Sequence, residues 1–367
     1  MAHTPKKIIC TVTNDLNYDQ RMIKICSTLQ ALGYEVTLVG RLKSNSPALQ
    51  HQPFHQKRLK CWADSGKLFY LSYWINLFFY LLFKRADILC AIDLDTIMPV
   101  LYVAKIKGVQ RVYDAHEIFT EIPELVHKPR EYKIWKWIGQ HAIPQFPKGY
   151  TVGHFCAQYF KEHYNANYEV VTNATVLDKT TTYERQVPGD YMLYQGAVNK
   201  GRAFDILIPA MKLIDIPLVI CGEGSYMEEV KALIKTHQVE DKVKLVGYVK
   251  PSLLPHYTSY AKIGILLLDP DNKNNVFSMA NRLFDYMHHG VPQLSMDYPE
   301  YRMVNEDFEI ATLLPGALTP EIIAAGVERL LNDQEYYNRL QQNSLRAREK
   351  YCWQAEAEKL KAFYQQF

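Results

Sequence analysis

The sequence is poor in the features that settle a function at first sight. Its seven cysteines (10, 26, 61, 90, 156, 221 and 352) are scattered, odd in number and never in CxxC spacing. That excludes a disulfide framework and a cysteine metal site, and reads as buried reduced thiols. Excess charge of one sign is also scarce. Lys and Arg number 42 against 39 Asp and Glu, a net charge of +3, which gives no electrostatic case for nucleic acid. No apolar run reaches the ~20 residues that cross a bilayer. No apolar signal segment stands before the first strand-like run, so a cytoplasmic location is expected. HExxH is missing, because His116-Glu117 has no second histidine four residues on.

What is present fits a soluble protein of two domains. The 367 residues, 48% apolar and 22% charged, exceed what one hydrophobic core usually covers. Aromatic residues are abundant, with 26 Tyr and 15 Phe, several of them in Leu68–Phe83 (LFYLSYWINLFFYLLF), which Lys84 and Arg85 close. That run fits either a helix packed in a domain core or a surface helix dipping into an inner membrane face. A second stretch, residues 127–137, interleaves Lys128, Arg130, Lys133 and Lys136 with Tyr132, Trp135 and Trp137. It fits a solvated helix with packed aromatics, or contact with an anionic lipid surface.

Strand and helix signals alternate along the chain. Lys7–Thr13, Glu35–Val39, Ile88–Ala91 and Val109–Tyr113 read as buried strands, with helices at Gln20–Leu32 and Ile97–Ile106. A polar stretch, Asn173–Asp190, reads as a linker. A second series follows, with strands at Tyr191–Gln195, Pro217–Cys221, Val243–Val246 and Ile263–Leu268. Its helices are expected at Ala203–Leu213 and Tyr226–His237. The alternation implies two parallel-sheet α/β domains facing across a cleft, and ligands in such sheets bind beyond the carboxyl ends of the strands.

The loops at those ends hold the candidate residues. Gly196-Ala197-Val198-Asn199-Lys200-Gly201-Arg202 joins a strand to a helix. It offers backbone approach at the two glycines and a cationic fork at Arg202, but it is neither a Walker A nor a GxGxxG loop, and a plain β-α turn fits it equally well. Gly222-Glu223-Gly224 and Gly247-Tyr248 follow later strands, and each is equally readable as a turn or strand end. Ser278-Met279-Ala280-Asn281 reads as the start of a helix that Gly290 closes. Its first turn could hold a diphosphate, with Asp285, two turns beyond Ser278, on the same face to accept ribose hydroxyls; a capped helix with a solvated Asp fits these residues equally well. In the first half, Asp15, Asp19 and Arg21, then Asp93 and Asp95, then Asp114-Ala115-His116-Glu117 each follow a strand. His116 is the best candidate for proton chemistry or for hydrogen bonding to a sugar.

Taken together, these motifs resemble family 4 of the retaining glycosyltransferases over nearly the whole chain. SMANRLFDYMHHGVPQL (Ser278–Leu294) is similar to that family's S-x-x-N-K-x-F-E-Y-x-x-x-G-x-P-V segment. The resemblance implies the GT-B fold, with two Rossmann-like domains. An acceptor domain at 1–178 would be completed by a C-terminal helix at about 348–367 that crosses back to it, and a donor domain would span 190–347. It implies transfer from a nucleotide-diphosphate sugar, with retention, to a glycan or lipid-linked acceptor in surface polysaccharide or glycolipid assembly. The nucleotide sugar would be a co-substrate, with no further cofactor and no metal. His116, Arg202 and Asp285 would be catalytic. Gly196, Gly201, Arg202, Gly222, Glu223, Gly247, Tyr248, Ser278, Met279, Ala280, Asn281 and Asp285 would bind the donor. Asp15, Asp19, Arg21, Asp95 and Glu117 would bind the acceptor. Phe277 stands where the family pattern has its first Glu, with Asp269 and Asp271 upstream. Ala197 stands where it has a basic residue, which leaves one phosphate cation in the loop where two are usual. A non-catalytic sugar-nucleotide-binding subunit and a GT-B UDP-sugar epimerase are the alternatives.

Overall fold

The β-branched run Lys7–Thr11 (β1) lies inside a parallel sheet with Glu35–Leu42 (β2), His55–Lys60 (β3), Ile88–Ile92 (β4), Gln110–Ala115 (β5), Lys148–Thr151 (β6) and Glu169–Val170 (β7). The computed structural model describes residues 5–122, 125, 128–270 and 273–367; His127 and Asp271 lie outside them. The strand order is β3-β2-β1-β4-β5-β6-β7, with Ile8 opposite both Val36 and Ile88. Every residue of β4 is buried, as expected for a parallel strand covered on both faces. Helices Gln20–Ala31, Gly66–Phe83, Asp93–Lys107, Pro129–Ala142 and His154–Tyr164 connect the strands.

A second sheet comprises Met192–Gln195 (β8), Leu218–Cys221 (β9), Val243–Gly247 (β10), Ile263–Leu266 (β11), Gln293–Met296 (β12) and Ala311–Leu314 (β13), in the order β10-β9-β8-β11-β12-β13. Strand periodicity divides its side chains between two layers. Met192, Tyr194, Leu218 and Ile220 enter one core. Tyr191, Leu193, Val219 and Cys221 pack with Tyr286 in another. In both sheets the strand order reverses once, at β1/β4 and at β8/β11, and such a reversal opens a crevice at the strands' carboxyl ends.

The chain divides into two units, Met1–Thr172 with Ala357–Phe367, and Asn173–Glu356. Residues 173–178 fall in the second unit, not in the first domain where the sequence reading places them. The physical reason is side-chain pairing: Asn173 Nδ2 donates to Asn281 Oδ1 at 2.8 Å and Thr175 Oγ1 to Asp285 Oδ1 at 2.5 Å. The helix Trp353–Tyr364 ends in the first unit. There the Phe363 ring lies 5.1 Å from Tyr150, and Tyr34 Oη donates to Tyr364 O at 2.9 Å. All seven cysteines are free thiols.

Candidate functional site

The turn after β8 carries Gly196 at φ +128° and Gly201 at φ +87°, conformations that glycine adopts at least cost. Its neighbours fix it on both sides. Val198 N donates to Glu223 O at 3.0 Å and Tyr226 N to Val198 O at 2.9 Å. A methyl group on Gly222 would stand 1.8 Å from Gly196 O, and one on Gly224 would stand 2.2 Å from Val198 O. Close packing of loop on loop therefore accounts for both glycines without a ligand. On the other side Asp269 N and Asn275 Nδ2 donate to Gly201 O, at 3.1 and 3.3 Å. The loops after β8, β9 and β11 thus form one assembly at the reversal point of the second sheet.

The helix expected to begin near Ser278 begins at Asn281 instead, and a short helix that was not expected precedes it. The two are Lys273–Phe277 and Asn281–His288, with Ser278, Met279 and Ala280 between them. Ser278 is therefore outside the first turn, and helical spacing does not relate it to Asp285. Its N–H and hydroxyl both donate to Asn275 O, at 3.4 and 3.0 Å. Ala280 N donates to Tyr301 Oη at 3.2 Å, and Met279 is buried in the core. These three expected donor contacts are spent inside the unit. Asn281 is exposed and opens the second helix. One turn on, Asp285 Oδ2 accepts from Gln195 Nε2 at 2.8 Å, while Gln195 Oε1 accepts from Thr258 Oγ1 at 2.7 Å. With Thr175 on Oδ1, the carboxylate is oriented by a chain of three side chains that sequence reasoning did not identify.

Arg202 is half-buried, two residues before the helix Phe204–Ala210. It lies close enough to Tyr301 to act on its hydroxyl electrostatically. Arg282, which the sequence reading also passed over, is buried beneath Gly196 with its guanidinium 4.8 Å from the centre of the Tyr194 ring. The β10 end is the edge of the sheet. A methyl group on Gly247 would stand 3.1 Å from Glu223 Oε1, and Tyr248 is 60% exposed.

In the first unit, Asp93, Asp95, His116 and Glu117 gather where β4 and β5 end. Asp93 opens its helix at φ +55°, a strained setting for a residue with a side chain. Its Oδ1 accepts from His116 N at 2.8 Å, and its Oδ2 lies 3.7 Å from His116 Nδ1. His116 Nε2 is 3.1 Å from Asp114 Oδ2. Thr13, beyond β1, donates its hydroxyl to Asp95. The other expected acceptor contacts serve the fold. Asp15 is buried on Arg58 Nη2 at 2.6 Å. Asp19 caps its helix by accepting from Met22 N at 3.0 Å. Arg21, 4% exposed, pairs with Asp114 at 3.0 Å and donates to Val171 O at 2.9 Å. Asp93, named from sequence at the strand end but given no binding or catalytic role there, is the residue that holds the His116 backbone.

Residues 183–347 match the glycosyl transferases group 1 family. No curated protein sequence matches the chain. Its fold is similar to sucrose-phosphate synthase from Thermosynechococcus elongatus (TM-score 0.78, 14% identity, 98% of each chain). It is also similar to Anabaena Alr3699/HepE in complex with UDP and glucose (0.77, 11%, 99% of this chain and 100% of that one). WaaG, a glycosyltransferase involved in lipopolysaccharide biosynthesis, is a third such structure (0.70, 13%, 96% and 98%). The chain is a glycosyltransferase of the GT-B fold.

The electrostatics of this glycosyltransferase's first unit invert one expectation. Burial alone would push the His116 pKa down, but Asp114 and Asp93 outweigh it and raise it to about 9. His116 is then an imidazolium at neutral pH, a donor and not a base. Burial pushes Asp95 up to about 7, with the Thr13 hydroxyl opposing and Glu117 reinforcing. Burial also raises Asp93 well above the usual carboxylate range. For Asp114, Arg21 and His116 overcome burial and hold it low. Asp95 is thus a carboxyl group that titrates near neutrality. Among the described residues no cluster of three His, Cys, Asp or Glu side chains is arranged to hold a metal.

Proposed function

We propose that the second unit binds a nucleoside-diphosphate sugar and the first binds a glycan or lipid-linked acceptor, with transfer that retains the anomeric configuration. The observation that carries this reading is the placement of Arg202 and the oriented Asp285 carboxylate around one glycine turn at the reversal point of the second sheet. The diphosphate lies over Gly196–Arg202, and the oriented Asp285 carboxylate accepts ribose hydroxyls. Arg202 neutralises charge as the diphosphate departs, a stabilisation realised most fully in the transition state. His116 donates to the transferred sugar, and Asp95 and Glu117 receive acceptor hydroxyls. The departing phosphate takes the acceptor proton. Because the chain's own cations meet the diphosphate charge, no metal takes part. HepE, similar in fold, has been seen with UDP and glucose, which supports a uridine or related donor. WaaG's part in lipopolysaccharide biosynthesis supports a surface glycan or glycolipid product.

A lipid surface as the setting rests on the first unit's helices. Gly66–Phe83 leaves Leu68, Leu71, Phe79 and Phe83 exposed, and Pro129–Ala142 leaves Ile134 and Trp137 exposed beside Lys133 and Lys136. Tyr70 and Trp135 join the two helices, with ring centres 5.1 Å apart. Leu68–Phe83 thus buries one side and exposes another. No helix among the described residues is long and apolar enough to cross a membrane.

The test is transfer measured by nuclear magnetic resonance on an acceptor panel, with and without chelator. The expected product keeps the donor's anomeric configuration, chelator leaves turnover unchanged, and Arg202→Ala lowers kcat at least a hundredfold, the scale of an electrostatic catalytic contact. Unchanged turnover in Arg202→Ala would sink the assignment. Epimerised sugar without acceptor would move the activity to another class.

A further inference from the structure

A cation with two buried N–H groups that make no hydrogen bond lies under the glycine turn of the second unit. Arg282 is 7% exposed, and its Nε and Nη2 are buried without a hydrogen-bond partner among the described residues. Its guanidinium lies over the Tyr194 ring, and no carboxylate pairs with it among the ion pairs of the described residues. Burying the charge with two N–H groups unpaired costs stability in the ligand-free protein. Position points the same way. The one atom that a methyl group on Gly196 would meet within 4 Å is Arg282 Nη1, at 3.5 Å. The glycine therefore leaves the space above the guanidinium open. Tyr301, whose hydroxyl accepts from Ala280 N at 3.2 Å in the Ser278–Ala280 break, feels both Arg282 and Arg202 electrostatically.

We propose that Arg282 is the second phosphate-binding cation of the donor site, supplied from helix Asn281–His288 to a turn that carries Ala197 where a second cation would stand. The inference rests on the donor reading of this unit. The ligand it fits is a diphosphate, because two guanidinium groups serve two phosphoryl groups, and Arg282 presents Nη1, the nitrogen beside Gly196, to one of them. Tyr194 holds the guanidinium in place before the ligand arrives, so little ordering remains to be done on binding.

Isothermal titration of the whole chain with UDP, GDP and ADP, their monophosphates and inorganic pyrophosphate tests this. In Arg282→Met the affinity for the preferred diphosphate should fall about 10- to 100-fold, the scale of charged hydrogen bonds, and the monophosphate affinity much less. Arg282→Lys should recover part of the loss. The ligand-free melting temperature of Arg282→Met should be unchanged or higher, because a buried unpaired charge has been replaced by an apolar chain of similar length. A merely structural arginine would instead lower the melting temperature and both affinities together, and that result overturns the proposal. Diphosphate binding within twofold of the wild type in Arg282→Met overturns it too, with the donor site left standing. Failure of the wild type to bind any nucleoside diphosphate defeats the donor reading itself, and this inference with it.

Discussion

The His116 ring has Asp114 on one nitrogen and Asp93 near the other, and this pairing sets both its charge and its part in stability. A histidine raised from an ordinary value near 6.5 to about 9 binds its proton more tightly folded than unfolded. Its stabilisation is complete below about pH 6.5 and is lost as pH rises through about 9. Asp95, raised to about 7, loses its contribution in a lower window, from about 4 upward. The wild-type melting temperature should therefore fall between pH 7 and pH 9, and His116→Gln should flatten the fall in that window alone. Thermal melts across buffers check this, and an unchanged slope in the variant would show that the Asp pairing does not control the ring. At this scale the sequence was partly legible. It gave His116 as the likeliest proton carrier by residue type, but intrinsic pKa cannot report two flanking carboxylates. Arg282 was missed for a related reason: a basic residue one step inside a helix reads as solvated until the fold buries it.

Elements with strong periodicity were read nearly to their ends, and those shaped by tertiary context were not. His55–Lys60 is a polar run that pairs only with β2 at the sheet edge, so it lacks the apolar signature of a buried strand. The helix after β4 begins at Asp93, four residues before its expected start, because Asp93 takes a left-handed backbone and serves His116. The break at Ser278–Ala280 is invisible to helical spacing, since Met279 turns into the core there. Gly222 looked like a ligand contact but is a packing glycine. Gly222→Ala should lower the melting temperature sharply and cost about 1–3 kcal/mol or more, since its methyl would enter Gly196 O. Gly33→Ala, with no atom within 4 Å of the added methyl, meets only its φ of +91° and should cost less. Helices Gly66–Phe83 and Pro129–Ala142 carry another prediction. Phe79→Glu with Trp137→Glu should reduce cosedimentation with anionic vesicles at least tenfold without changing the melting temperature. Equal binding by the double variant would place lipid contact elsewhere, or nowhere.

For the whole molecule, the alternation of strands and helices was enough to read two parallel α/β units, because covered parallel strands are continuously apolar and leave few other arrangements. The reversal points then say where ligands go, which places the Gly196 turn and the His116 cluster at the ends of their sheets without further assumption. What the sequence withheld is which of the many residues at those ends face a ligand and which are spent on the fold. Ser278, Asp15, Asp19 and Arg21 proved to be spent, while Arg202 and Asp285 stay at the turn. The central claim is that this turn with Arg202 is a nucleoside-diphosphate site. Calorimetric titration of the wild type and Arg202→Ala with UDP, GDP and ADP tests it most directly. The account predicts selective binding of one diphosphate by the wild type, weakened at least tenfold in Arg202→Ala. Equal affinity in the two proteins, or no binding by the wild type, would contradict it.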